Sequence, residues 1–396
     1  MSSLEKIDRR LVEEAALAGY EYGVQVADKK LIEEAIERFL FLRDSGVDKS
    51  DRDRWSLTLS SAYAQLAAMS STTEAPQVEL STQGGMGQDL AASEAALSDS
   101  ETVPVQPTIG SSSSTTLEKA VMVHREALSR LARETVPLEW AKMHHVLGDA
   151  LWELGERENG TARLEEAVAS YQEALKERRR EIAPLEWATT QTSLGKAFAA
   201  IGRREQEPSN LENAVRCYRE ALKERTRERV PLLWARTQMN LGNAFLGLAR
   251  HEAGILRLED AIATFREVLK EFTRDRAPLE WARTQMNLGN ALLQLGRREG
   301  NPERINDAIG AYQAALKERT RERVPVNWAA TSMNLANALV ELGVQQRDAN
   351  KLEEAIEVYG TALSGIKEET HPRLHELILK NRSNAQNEFE KLSKQA

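Results

Sequence analysis

The chain has 396 residues, 41% of them apolar and 29% charged, with a formal net charge of −8. That balance fits a folded chain with a heavily charged surface, and no apolar stretch approaches the roughly 18 residues that a membrane-spanning helix needs. The charge is uneven: residues 1–115 carry 10 Lys/Arg against 19 Asp/Glu and the remainder 43 against 42, so the chain lacks the basic stripe on which nucleic-acid binding rests.

The opening segment, MSSLEKIDRRLVEEAA, scatters charges where a secretory signal needs an unbroken apolar run, which predicts a cytoplasmic protein. Next come two predicted helices, Leu31 to Leu42 and Arg54 to Leu66, within an N-terminal region spanning 1–69. Residues 70–114 are rich in Ser, Thr, Gly and acid with few large apolar groups, the composition of a disordered insertion in a hairpin loop. Helical periodicity resumes with TTLEKAVMVHREAL, Thr115 to Leu128.

From there the chain repeats itself through residues 115–370. Prolines recur at Pro137, Pro184, Pro231, Pro278, Pro325 and Pro372, a period of 47 residues, and tryptophans follow the first five at Trp140, Trp187, Trp234, Trp281 and Trp328. Each unit divides into two predicted helices. The first starts at the proline, whose fixed φ and missing N–H suit a first helical position, with Glu139, Glu186 or Glu280 favouring the helix dipole. Trp281, Leu288, Leu292 and Leu295, with Gln285 between them, step along one face. Gly155, Gly202, Gly296 and Gly343 are expected to end this helix or stand within half a turn of its end. The second helix opens near Thr161, Pro208, Pro302 or Ala349, with Asn301 and Asp348 as N-caps. Its inward face is Leu258, Ala261, Ile262, Phe265, Val268 and Leu269. The charged tail KERTRER is expected to offer Lys223, Glu224, Arg225, Arg227 and Glu228 to water, supported by weak i,i+4 pairs. Residues 371–396 lack the tryptophan and become more polar, which suits a capping helix.

Motifs with a catalytic or metal-binding sound fail on context. Ser193-Leu194-Gly195-Lys196 spells S-x-x-K in mid-helix with no companion motif. His144 and His145 are adjacent and face different ways, lacking the i,i+4 spacing of a helical zinc pair. Gly84-Gly85-Met86-Gly87 has no strand before it and no GK[ST] after it. The lone Cys217 excludes an intramolecular disulfide and a multi-cysteine metal site. No cofactor, no metal and no enzymatic activity are expected.

NLGNAF (Asn240 to Phe245) and NLGNAL (Asn287 to Leu292), followed by Ala261/Phe265 and Ala308/Tyr312, resemble the tetratricopeptide repeat (TPR) family. The long unit, 47 residues against about 34 in the standard repeat, is similar to arrays of the kinesin-light-chain kind and to those of bacterial and fungal signalling proteins. The N-terminal helices fit the same pattern, with Ala35 and Phe39, then Leu59 and Tyr63, in its slots. The resemblance implies an all-α, TPR-like α-solenoid: a right-handed superhelix of about seven helical hairpins plus a capping helix. It also implies a protein–protein interaction scaffold that holds a peptide or helix of a partner in a concave groove. The alternative is a regulatory or sensor arm that packs on itself, on a second copy, or on a signalling enzyme.

By that resemblance the groove is lined at fixed offsets from the Leu of the Leu-Gly pair. Five before it stand Lys142, Thr189, Arg236, Arg283 and Ala330; two before it, His145, Thr192, Met239, Met286 and Met333. One before it stand Val146, Ser193, Asn240, Asn287 and Asn334; two after it, Asp149, Lys196, Asn243, Asn290 and Asn337. Asparagine can pair with a peptide backbone, arginine with a carboxylate, and methionine can adapt to apolar groups. The same asparagines could instead bond only between neighbouring helices. Because Asp149 and Lys196 replace asparagine in the first complete units, a groove ligand is expected to favour the C-terminal half, whose partner-binding set is Arg236, Met239, Asn240, Asn243, Arg283, Met286, Asn287, Asn290, Met333, Asn334 and Asn337, with Lys142 ahead of it.

Overall fold

The structure, a computed structural model, describes Ala35, Ile36, Leu59, Ala62 and residues 112–394. Those first four residues are helical and buried; the rest of the expected N-terminal helices, and the expected insertion up to residue 111, lie outside the described residues. Residues 112–394 form twelve helices, and there is no strand among the described residues. They run α1 (Ser112–Arg130), α2 (Pro137–Arg157), α3 (Ala162–Glu177), α4 (Pro184–Glu205), α5 (Pro208–Leu222), α6 (Pro231–Ala249), α7 (Leu256–Val268), α8 (Pro278–Glu299), α9 (Pro302–Leu316), α10 (Pro325–Gln346), α11 (Ala349–Leu363) and α12 (Pro372–Ser393). This is the α-solenoid expected, built of TPR-like hairpins. Its described residues fall into two compact units, the first holding α1 to α4 through Arg204, the second everything from Glu205 onward.

Each proline opens its helix as expected. The amide of the following tryptophan donates to the carbonyl just before the proline, as from Trp234 to Val230 at 2.9 Å and Trp281 to Ala277 at 2.8 Å. The N-cap expectation also holds, with Asn301 accepting from the Glu303 amide at 2.9 Å and Asp348 from the Asn350 amide at 3.0 Å. The helices end just beyond the expected glycines, within the GRRE-type segment. α2, α8 and α10 run on past Gly155, Gly296 and Gly343, and the left-handed residues are Gln206, Gly300 and Arg347. Those interior glycines serve close packing instead: a Cβ on Gly155 would stand 2.8 Å from the Leu164 side chain.

The core of each hairpin is the meeting of the Leu-Gly pair with the aromatic of the second helix. Tyr171, Phe265, Tyr312 and Tyr359 are fully buried, and a Cβ at Gly148, Gly242 or Gly289 would lie 2.6 Å from the facing ring. Burying a ring of this size contributes on the order of 2–3 kcal/mol. Less deeply placed than the leucines that share their face, the repeated tryptophans are only half-buried. An arginine of the preceding loop covers several of them, with Arg133 5.1 Å from the Trp140 ring and Arg227 5.6 Å from Trp234.

The KERTRER tail differs from its expectation too. Arg225 is buried rather than offered to water, and the neighbouring charges stitch successive repeats. Arg227 pairs with Glu271 at 2.5 Å, and Arg274 with Glu318 at 2.5 Å, each 44 residues further on. Gly365 stands where that glutamate would next fall, because the Trp328 ring fills the space: an added Cβ would meet it at 2.2 Å. Arg321 accordingly donates to the Ser364 carbonyl. The i,i+4 reading missed this ladder because its partners are distant in sequence and adjacent only after stacking.

Candidate functional site

In the second unit α6, α8, α10 and α12 lie side by side, and the expected groove residues divide into two sets. The buried set is Met239, Met286, Met333, Asn287, Asn290, Asn334 and Asn337. Arg236 and Arg283 are exposed, and Asn240 and Asn243 are half-buried.

The buried amides form a ladder between helices. The Asn287 side-chain amide donates to Asn243 Oδ1 at 2.8 Å, Asn334 to Asn290 at 3.2 Å, and Asn381 to Asn337 at 3.1 Å. Each acceptor takes a second bond from its own hairpin where a tyrosine is present: Tyr312 OH donates to Asn290 Oδ1 at 2.7 Å, and Tyr359 OH to Asn337 Oδ1. Phe265 leaves Asn243 without that bond. Burial pushes the pKa of Tyr312 and Tyr359 well above the phenolic range, so both stay neutral donors. These contacts give Asn287, Asn290, Asn334 and Asn337 a bracing role, one of the two readings the sequence left open. Asn381 belongs to the same ladder and was missed, although it lies one 47-residue period after Asn334.

Arg236 and Arg283 occupy one register on successive helices, each a turn ahead of its buried methionine. Arg236 also reaches Glu280 on α8 at 3.2 Å. A second feature absent from the sequence reading lies below. Arg225 donates to Thr237 at 3.0 Å and Arg319 to Thr331 at 3.1 Å, buried on both sides. The signal that could have found them is an arginine and a threonine 12 residues apart, repeated in phase.

The first unit uses the same positions differently. Lys142 is exposed at the register of Arg236, but Asp149 takes the place of the ladder asparagine. It accepts from Tyr171 OH at 2.7 Å and lies 3.3 Å from His145 Nε2. Lys196 turns its ammonium over the Trp152 ring, 4.6 Å from its centre. His144 packs edge-on against Trp140, so the two adjacent histidines do face different ways.

No protein-family model matches the chain, and no curated protein matches it. Solved structures similar to it include the C-terminal part of a TPR repeat-containing protein from Cytophaga hutchinsonii, 11% identical over 88% of this chain and 99% of that one, with a TM-score of 0.46. A signal-transduction ATPase with a tetratricopeptide repeat sensor from Pyrococcus horikoshii is 13% identical over 98% of this chain and 51% of its own, with a TM-score of 0.43. A Rap protein complexed with Competence and Sporulation Factor is 11% identical over 97% of this chain and 99% of its own, with a TM-score of 0.37.

Proposed function

We propose that this chain is a protein–protein interaction scaffold that receives a peptide or helix of a partner on the face of α6 and α8, where Arg236, Arg283, Asn240 and Asn243 remain accessible. The observation that carries this reading is the shared register of the two exposed arginines on adjacent helices, above a layer whose amides are bonded to one another. Two cations at a fixed spacing on a rigid support recognise acidic groups in register, while amides bind a backbone without reading its side chains. The buried methionines and the buried asparagines Asn287, Asn290, Asn334 and Asn337 set the spacing between helices and do not touch the ligand.

The test is an affinity capture from native lysate with wild type beside Arg236→Glu/Arg283→Glu, after circular dichroism shows equal helicity. A partner held by wild type and lost from the variant is the expected result. The same partners on both proteins would overturn the reading. A mass by light scattering that rises with concentration in both would favour self-association instead.

A further inference from the structure

The loop that leaves each second helix turns one side chain inward every 47 residues: Arg178, Arg225, Phe272, Arg319 and Ile366. All five are buried. Phe272 and Ile366 show that a hydrocarbon satisfies the packing there, whereas a buried arginine is costly unless an anion offsets its charge.

Arg178 and Arg319 hold the same place in their repeats. Each donates from Nη1 to a threonine of the next helix, Arg178 to Thr190 at 3.0 Å and Arg319 to Thr331 at 3.1 Å. One turn before these threonines stand Glu186 and Asn327, whose carbonyls accept from the threonine hydroxyls at 2.9 and 2.7 Å. Arg319 Nη1 also touches Met286 Sδ at 2.9 Å, and one turn after Met286 comes Asn290, where the first unit has Asp149. Burial pulls the Arg178 guanidinium down from its ordinary value, and the carboxylates of Glu186 and Asp149 oppose that pull. At Asn327 and Asn290 both carboxylates are replaced by amides, while the arginine remains. The adjacent Glu318 is taken up by Arg274 and Arg323, at 2.5 and 2.8 Å, so no carboxylate among the described residues pairs with Arg319. Its Nε and Nη2, the parallel N–H edge with which an arginine grips an anion, have no partner among the described residues either.

We propose that the Nε–Nη2 edge of Arg319 holds a small monovalent inorganic anion such as chloride, in place of the negative charge that Glu186 and Asp149 supply to Arg178. With 6% of its surface exposed, Arg319 leaves an opening for an ion and none for the approach of another chain. A single guanidinium matches a single negative charge, and a phosphate group would bury a second one unmatched. The site lies apart from the accessible face of α6 and α8 and does not rest on the reading above. Binding there ties the stability of the second unit to the supply of the anion.

The experiment uses the full chain with sodium chloride as the probe and sodium gluconate, too large for the site, holding ionic strength constant. Two variants copy side chains that the equivalent place already accepts, Arg319→Phe after Phe272 and Arg319→Ile after Ile366; a third, Asn327→Glu, restores the carboxylate that Arg178 has. Circular dichroism first establishes equal helicity. Wild type should broaden the chloride NMR line saturably, and bromide should reverse the broadening. Exchanging gluconate for chloride should raise its melting temperature by about 3 °C relative to the variants. General salt effects act on all four proteins alike and cancel in that comparison. Both Arg319 variants should lose the broadening and the shift, and Asn327→Glu should lose them by filling the site from within. Loss in the Arg319 variants alone would keep the ion on Arg319 and show that a glutamate at 327 does not displace it. No saturable broadening by wild type, or the same broadening by a folded Arg319→Phe or Arg319→Ile, would overturn the site.

Discussion

The two units build the same hairpin and satisfy its polar interior in different ways. In the second, neutral amides bridge α6 to α8, α8 to α10 and α10 to α12. In the first, the equivalent place holds the carboxylate Asp149, with Tyr171, His145 and the buried His124 near it. At Asp149, Asn290 and Asn337 this position supplies an acceptor to the tyrosine of its hairpin, charged in the first case and neutral in the other two. Charge decides how each unit responds to its surroundings.

The largest expected effect comes from the most deeply placed ion pair. In the second unit Arg297 and Glu341 meet at 2.9 Å with both side chains buried, and Gln345 adds a bond to Glu341 at 3.0 Å. In the first, Glu156 stands 3.6 and 3.9 Å from Arg203 and Arg204. Glu341→Ala strands the Arg297 guanidinium and should destabilise the second unit by about 3–5 kcal/mol. Glu156→Ala removes a looser, shared contact and should have about half that effect. Urea unfolding followed by hydrogen exchange in each unit measures both; equal losses would erase this distinction between them.

The next effect is acid sensitivity of the first unit. Both ring nitrogens of His124 are buried without a hydrogen-bond partner, and burial pushes its pKa down to about 4, partly offset by the carboxylate of Asp149. The unfolded chain takes up that proton near pH 6.5, the folded chain only near 4. The stabilisation is therefore complete above about pH 6.5 and lost as pH falls toward 4, by roughly 3 kcal/mol. In the second unit burial lowers His371 in the same direction, but that ring is only half-buried. Exchange protection in residues 112–204 should thus fall more steeply between pH 6.5 and 4 than in 205–394, and His124→Leu should flatten the difference. A parallel fall in both units would show that His124 does not set it.

Much of this was legible in the sequence because stacking repeats reports itself as a period. Prolines, Leu-Gly pairs and aromatic slots at 47-residue spacing gave hairpins and helix starts without any coordinate. What escaped was every contact made across the period. The bond from Asn287 to Asn243, and the pair of Arg227 with Glu271, join residues 44 apart, a separation that depends on how far each repeat rotates on the last. The burial of Arg225 and Arg319 escaped for another reason: within KERTRER all charges look alike, and only the Phe272 and Ile366 of sister repeats mark that column as inward-facing. The methionines at the groove offset failed as exposed contacts because the offset names a helix face, while burial depends on the neighbour that covers it.

The smallest effect isolates the ladder itself. Asn290 Oδ1 accepts from both Tyr312 OH and the Asn334 amide, all three groups being buried. Asn290→Ala leaves two buried donors without an acceptor and should cost about 2 kcal/mol. Asp149→Ala removes one of two partners of the Tyr171 hydroxyl, which keeps Ser193, together with a half-exposed carboxylate whose contact with His145 at 3.3 Å is loose, so about 1 kcal/mol is expected. Asp149→Asn should keep the tyrosine bond and lose less still. If the tyrosine bonds carry these differences, Tyr312→Phe in the Asn290→Ala background should recover part of the loss, since it removes one stranded donor. No recovery in that double mutant would mean that the inter-helix rung from Asn334, absent at Asp149, holds most of the energy, and that the two units differ in how their helices are joined as well as in charge.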